Sequence, residues 1–241
     1  MVTGASSQVF ATDIECVTHD FAPYVFVKNG QLTGIEIEIM KMLSAQMDVN
    51  FNVTVVPWSR ALAKARNGTA DCLFPAFRSE QRLRFLEYSS VPIHTSNLVF
   101  YKHKDSDFDY ASLNDLNQRS IAVVRSFKQP DKIATMKQNK KVHIIEVTEL
   151  NQSFELLQRN RVDLVLYNKI VGDLALSQFV EPQIVALEKP LESIPAYVTF
   201  SKHSEFKRLM PELDAKLKII LESEPYKKIV QRYISPSNFL D

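Results

Sequence analysis

From Gly34 onward the apolar residues Ile35, Ile39, Met42 and Leu43 recur at helical spacing, with Glu36 and Glu38 in the opening turn. This pattern predicts an amphipathic helix over 35–47. A β-branched run at 51–56 reads as a strand. A second helix over 59–66 is closed by Asn67-Gly68, and the apolar run Cys72-Leu73-Phe74 marks a buried strand at 70–74. A strand at 10–17 precedes these elements and a short helix near 79–84 follows them. The segment TSNLVFYKHK then runs apolar and extended into a polar loop, where Ser112 is a plausible N-cap. The alternation resumes with strand 120–124, helix 130–138, strand 142–147, helix 150–159, strand 162–166, helix 169–178 and strand 183–187. A second extended crossover, IPAYVTFSK, leads to two amphipathic helices near 204–222 and 225–233.

Repeated strand-helix alternation builds parallel sheets, so the fold class is α/β with two such series. The two crossovers imply a discontinuous first lobe, 1–99 with 199–241, around a continuous second lobe, 100–198. In open parallel sheets small ligands sit beyond the carboxyl ends of the strands, where loops and helix N-termini offer backbone donors. Arg82 follows one such end.

Composition narrows the partners. The 241 residues suffice for two compact units, and 45% hydrophobic content supports real cores. Lys plus Arg is 29 against 28 for Asp plus Glu, which leaves no net field to favour nucleic acid. No apolar run approaches the roughly 18 residues that span a bilayer, and the opening MVTGASSQVF lacks the basic and apolar regions of a signal peptide. Nucleophile-elbow, zinc-protease, phosphate-loop and dinucleotide motifs are all missing, and the five histidines, at 19, 94, 103, 143 and 203, stand singly. No metal or cofactor is therefore expected. Cys16 and Cys72 are the two cysteines, both on predicted strands and neither in a metal or redox spacing. Neighbouring strands would bring them close, but adjacent parallel strands seldom place side chains well for a bridge, so two buried free thiols are expected, with a bridge as the alternative.

Six stretches, FAPYVFVKNGQLTGIEIEI, PWSRALAKARNGTADCLFP, SEQRLRFLEYSSVP, SLNDLNQRSIAVV, ELLQRNRVDLVLYN and PYKKIVQRYI, fall in order across nearly the whole chain. In these the chain resembles the bacterial extracellular solute-binding proteins of family 3, the periplasmic amino-acid-binding components of ABC transporters. The resemblance implies a two-lobed type II periplasmic-binding-protein fold whose hinge strands lie near Leu98–Lys102 and Ala196–Phe200. It implies a monomer that captures a small carboxylate-bearing solute in an interlobe cleft and delivers it to a membrane permease, without catalysis. It also implies periplasmic residence after removal of a signal peptide. A ligand-sensing module of the same fold is one alternative. A cyclohexadienyl-dehydratase-like enzyme, with Glu36, Glu87 or Asp20 as its acid, is another.

Residue by residue, Ser79-Glu80-Gln81-Arg82 matches the family's Thr-x-x-Arg turn, so Arg82 would grip the ligand carboxylate with its planar fork. Phe21, Tyr24 and Trp58, each in a Pro-containing turn at a strand end, would wall the ligand. Pro75 and Phe77 stand where amino-acid binders tend to carry Gly or Ser donors. On the second lobe the anion-binding loop reads Arg125-Ser126-Phe127-Lys128, which offers an apolar face in Phe127 and a cation in Lys128. Asn168, five residues after Asp163, replaces the acid that pairs an α-ammonium in amino-acid binders. Arg60, Arg78, Arg125 and Lys169 add positive charge at strand ends. The expected ligand is therefore an anion with a flat apolar part and no paired α-ammonium.

Overall fold

The computed structural model describes residues 12–125 and 130–234. Along the chain the elements are β1 (Thr12–Thr18), β2 (Phe26–Lys28), β3 (Gln31–Thr33), α1 (Ile35–Met47), β4 (Val49–Val55), α2 (Trp58–Arg66), β5 (Cys72–Phe77), α3 (Glu80–Leu83) and β6 (Leu86–Tyr88). They continue with β7 (His94–His103), β8 (Ser120–Val124), α4 (Asp131–Gln138), β9 (His143–Val147), α5 (Leu150–Gln158), β10 (Leu164–Asn168), α6 (Lys169–Leu176) and β11 (Ile184–Ala186). The run closes with β12 (Glu192–Ser201), α7 (Met210–Glu222) and α8 (Glu224–Ile234). The chain forms two compact units, one from the chain up to His94 with Pro195–Tyr233, the other from Thr95–Ile194. Each crossing falls within a ten-residue strand, β7 or β12.

In the first unit the strand order is β4-β1-β5-β12, with β4, β1 and β5 parallel and β12 antiparallel to β5 and β6. Helix α1 buries Ile35, Ile39 and Leu43 of the spacing read from the sequence, with Met40 buried in place of the half-buried Met42, and packs against α7. Its start is set by one glycine. Gly34 has φ 126°, and a Cβ there would collide with the Tyr24 carbonyl. The side-chain-free position lets Ile35 N donate to Pro23 O and Glu36 N donate to Tyr24 O, both at 3.0 Å. The loop after β1 is thereby tied to the helix N-terminus.

The second unit orders its strands β7-β10-β8-β9, with β10, β8 and β9 parallel and β7 antiparallel to β10 and β11. Its strands alternate with period two between two buried faces. Leu98, Phe100, Ile121, Val123, Leu164 and Leu166 pack on one face, and Val99, Tyr101, Ala122 and Val165 pack with Phe154 on the other. Burial on both faces explains the near-continuous apolar runs that marked these strands.

Four features depart from the pattern-based expectation, one being strand β6, since the pattern gives no strand after the short helix near 79–84. The β2–β3 hairpin went unread, although Asn29-Gly30 is a two-residue turn signal; both residues take positive φ, 53° and 75°. Strand β5 runs on past Phe74 to Phe77, carrying Pro75 within it. The helix expected from 204 opens instead as a 3₁₀ turn over Glu205–Leu209, and the α-helix begins at Met210 with Pro211 in its first turn, where a missing N–H costs no helical bond. Ser112 does form the expected cap, in a capping box with Asp115.

Gly34→Ala should destabilise the first unit by at least about 1–3 kcal/mol, since it adds left-handed strain to a backbone collision. Urea unfolding checks this, and a change below about 0.5 kcal/mol would contradict the role given to Gly34.

Candidate functional site

Strand β1 ends at Thr18, and the six residues that follow fold back on themselves. Phe21 N donates to Val25 O at 2.7 Å and Val25 N donates to Phe21 O at 3.1 Å, while Tyr24 N also donates to Phe21 O. Tyr24 stacks on His94 with centroids 4.1 Å apart, and Phe21 stacks on Tyr24 at 5.4 Å. His19 stacks on Phe21 at 5.5 Å and meets Trp58, tilted by 60°, at 5.0 Å. The Arg82 guanidinium lies over the Trp58 ring at 5.0 Å. Six side chains from four separate segments therefore form one continuous ladder, His94-Tyr24-Phe21-His19-Trp58-Arg82. Each ring pair adds about 0.5–1.5 kcal/mol beyond its buried area.

The two ends of the ladder differ in charge. At one end Arg82 sits on the one-turn helix α3, whose N-cap Ser79 accepts from Arg82 N. Arg82 Nη1 donates to Phe77 O at 2.8 Å, and the Tyr88 hydroxyl donates to the same carbonyl at 3.1 Å. Among the described residues no carboxylate pairs with Arg82, and burial lowers its pKa. The same burial pushes the Tyr88 hydroxyl up to about 12. At the other end Glu36 is 0% exposed, and its Oε1 lies 2.6 Å from His94 Nδ1. Tyr226 of α8 has its pKa raised, first by burial and then by the charge of Glu36.

Between the ends, His19 lines a cavity of about 370 Å³ with Asp20, Val55, Val56, Pro57 and Trp58. Its Nδ1 is buried with no hydrogen-bond partner. Burial, reinforced by repulsion from His94, lowers the imidazole to about 4, so the ring is neutral at neutral pH.

Of the residues singled out from sequence, Arg82, Trp58, Phe21, Tyr24, Phe77 and Ser79 all come together in this unit. Tyr24 is only 2% exposed, while Trp58 and Phe21 are half-buried. Asn168 belongs to the second unit and is 1% exposed; its Oδ1 caps α6 by accepting from Val171 N at 3.1 Å, and its Nδ2 is buried without a partner. Asp163 is occupied by Ser120 N, Ser120 Oγ and Arg119. Phe127 and Lys128 lie outside the described residues. Among the three acids proposed as dehydratase candidates, Asp20 and Glu87 are exposed and Glu36 is locked to His94.

Sequence reasoning passed over His19 and His94. Neither belongs to a local motif, since the partners come from β1, α1, α2 and β7. One signal was present in Ile35-Glu36-Ile37, because a carboxylate flanked by buried positions requires a partner elsewhere in the chain. Among the described residues no group of three or more His, Cys, Asp or Glu could hold a metal ion, and no helix is long and apolar enough to cross a membrane.

The sequence model of the bacterial extracellular solute-binding proteins, family 3, matches residues 14–236. The chain is similar to the probable amino-acid-binding protein YxeM of Bacillus subtilis (strain 168), at 17% identity over 214 residues, covering 88% of this chain and 80% of that protein. It superposes on the GluR0 ligand binding core in complex with L-glutamate with TM-score 0.75 at 17% identity, covering 93% of this chain and 99% of the other. Substrate binding domain 2 of Lactococcus lactis GlnP, in an open conformation, gives TM-score 0.69 at 18% identity over 93% and 97% of the two chains. Likeness at these identities shows the fold, the two-lobed type II periplasmic-binding-protein architecture.

The lowered His19 pKa has a consequence for stability. The unfolded chain takes up a proton on this imidazole near pH 6.5, whereas the folded chain does so only near 4. Stability is therefore lost as pH falls through this window, by on the order of 3 kcal/mol at pH 4. His19→Gln removes the titrating group. Its unfolding free energy, measured by denaturant at pH 7 and pH 4.5, should fall less than that of the unsubstituted protein, and equal falls would contradict the assignment.

Proposed function

The chain belongs to the bacterial extracellular solute-binding proteins, family 3, and from that premise we propose that it captures a small carboxylate-bearing solute on the Arg82 ladder. It acts as a monomer on the periplasmic side and delivers the solute to an ABC-type membrane permease, with no reaction at the site. The observation that carries this reading is Arg82 itself: a partly desolvated guanidinium with no carboxylate partner among the described residues. One of its N–H groups is spent on Phe77 O, which fixes the plane of the fork on the Trp58 face. The remaining donors suit a planar carboxylate.

The family resemblance and the residues of the first unit favour an anion over a zwitterion. Asn168 stands where an acid would pair an ammonium; it carries no charge, and its carbonyl oxygen is already used within α6. Glu36 faces His94 and is closed to solvent. Trp58, His19 and Phe21 offer ring faces, so a flat apolar group on the ligand gains stacking energy. The ligand class is an aromatic or other planar organic acid, or an amino-acid derivative whose amine is blocked or left in water. A dehydratase reading requires a free acid at the site; Glu36 is committed to His94, which leaves Asp20, on the lining of the His19 cavity, as the one acid it could use.

Thermal-shift screening of amino acids against amine-free and N-acylated acids identifies the ligand class, because a ligand at 100 times its Kd stabilises the folded state by about 2.7 kcal/mol. With a hit in hand, Arg82→Ala should weaken binding by about 2–5 kcal/mol, roughly one and a half to three and a half decades in Kd by calorimetry, with an unchanged circular dichroism spectrum. Binding within threefold of the unsubstituted protein would overturn the anchor. Sub-micromolar binding of an ordinary α-amino acid, lost when its amine is acetylated, would overturn the preference for anions.

A further inference from the structure

The two cysteines lie directly opposite each other. Cys16 on β1 and Cys72 on β5 are in-register neighbours on adjacent parallel strands, at one of only two register pairs that join those strands, the other being Val17 with Leu73. Both side chains point to the same side of the sheet, as register partners do. Neighbouring strands lie about 4.8 Å apart, inside the 4.4–6.8 Å Cα window of disulfides. Both residues are free thiols here, at most 1% exposed.

Their place in the unit gives the pair a consequence. Cys16 precedes the His19–Tyr24 loop on the strand that carries it, and Cys72 opens the strand that leads into Phe77, Ser79 and Arg82. The ladder between the two strands is short, so the relative placement of the aromatic loop and the Arg82 turn depends on very few backbone bonds. We propose that Cys16 and Cys72 form a disulfide when the chain folds in the presence of a disulfide oxidant, and that this bond staples together the two strands carrying the ligand-binding wall. The oxidising surroundings rest on the extracellular character of the family; the geometry does not.

The chemistry is two successive thiol–disulfide exchanges. The thiolate of one cysteine attacks a sulfur of the oxidant, an S–S bond of a small-molecule or protein disulfide, and expels one thiolate to leave a mixed disulfide. The second cysteine's thiolate then attacks the protein sulfur of that mixed disulfide, forming the Sγ–Sγ bond and expelling the second thiolate. Two protons leave the cysteines and appear on the two released thiols; the cysteines lose two electrons and the oxidant gains them. In the finished fold, burial raises the Cys16 pKa and no path for an oxidant remains, so the exchange belongs to the stage before β1 and β5 are sealed.

The test uses the whole chain and no ligand, so its outcome is independent of the functional reading above. The protein is unfolded with reductant, refolded with and without glutathione disulfide, then denatured and treated with N-ethylmaleimide before intact-mass analysis. After oxidative refolding the chain should carry no maleimide and weigh two hydrogens less; after reduction it should carry two. The oxidised form should melt several degrees above the reduced form by calorimetry, and Cys72→Ala should abolish that difference. Two maleimides on oxidatively refolded chain with native circular dichroism, or a persistent glutathione adduct on one cysteine, would overturn the pairing. An oxidised form melting no higher than the reduced one would overturn the staple.

Discussion

Glu36 is fully buried in the first turn of α1, and a carboxylate removed from water costs several kcal/mol unless it is paired and hydrogen-bonded. His94, fifty-eight residues further on, supplies that partner at 2.6 Å. The arrangement needs the helix to begin where it does, which in turn needs Gly34 to let the Tyr24 carbonyl approach. It also holds the His94 ring flat against Tyr24, and through Tyr24 and Phe21 the constraint reaches His19 and Trp58. Removing one partner leaves the other buried and unsatisfied, which typically costs about 1–3 kcal/mol or more. The ladder is thus an extension of one buried side-chain contact, Glu36 with His94, between α1 and the start of β7.

The electrostatics of the ladder follow from where water is excluded. Burial disfavours the charged form of His19, so the middle of the wall is a neutral ring. Arg82 stays charged because guanidinium does not release its proton near neutral pH, and its partial desolvation raises the value of any anion placed against it. A neutral aromatic strip with one cation at its edge attracts negative charge joined to a flat apolar body. This asymmetry is built by unit one alone and does not depend on the second unit.

Much of the fold was legible because both signals on which it rests are local. The period of Ile35, Ile39 and Leu43 and the acids of the opening turn placed α1, and the apolar runs placed β8 and β10, since a strand buried on both faces has no polar side to show. The site was legible in part. Arg82, Trp58 and Phe21 follow strand ends, a position readable from order alone, whereas the roles of His19 and His94 depend on which rings meet across four segments. Asn168 illustrates the opposite limit: its sequence position is shared with a ligand-pairing acid in the family it resembles, and its Oδ1 caps α6 while its Nδ2 has no partner. No local pattern distinguishes an amide that faces a ligand from one that closes a helix.

Trp58 is the only tryptophan, and the Arg82 guanidinium rests on its face, which makes its fluorescence a direct reporter of what happens at the cation. The decisive measurement titrates the protein with a planar aromatic carboxylate found by screening and, in parallel, with the primary amide of the same acid, following Trp58 emission. A carboxylate held by Arg82 should change the emission saturably, and the amide, equal in shape but uncharged, should bind at least about tenfold more weakly, a loss of some 1.4 kcal/mol or more. Equal affinities for acid and amide, or calorimetrically verified binding with no change in Trp58 emission, would contradict the account.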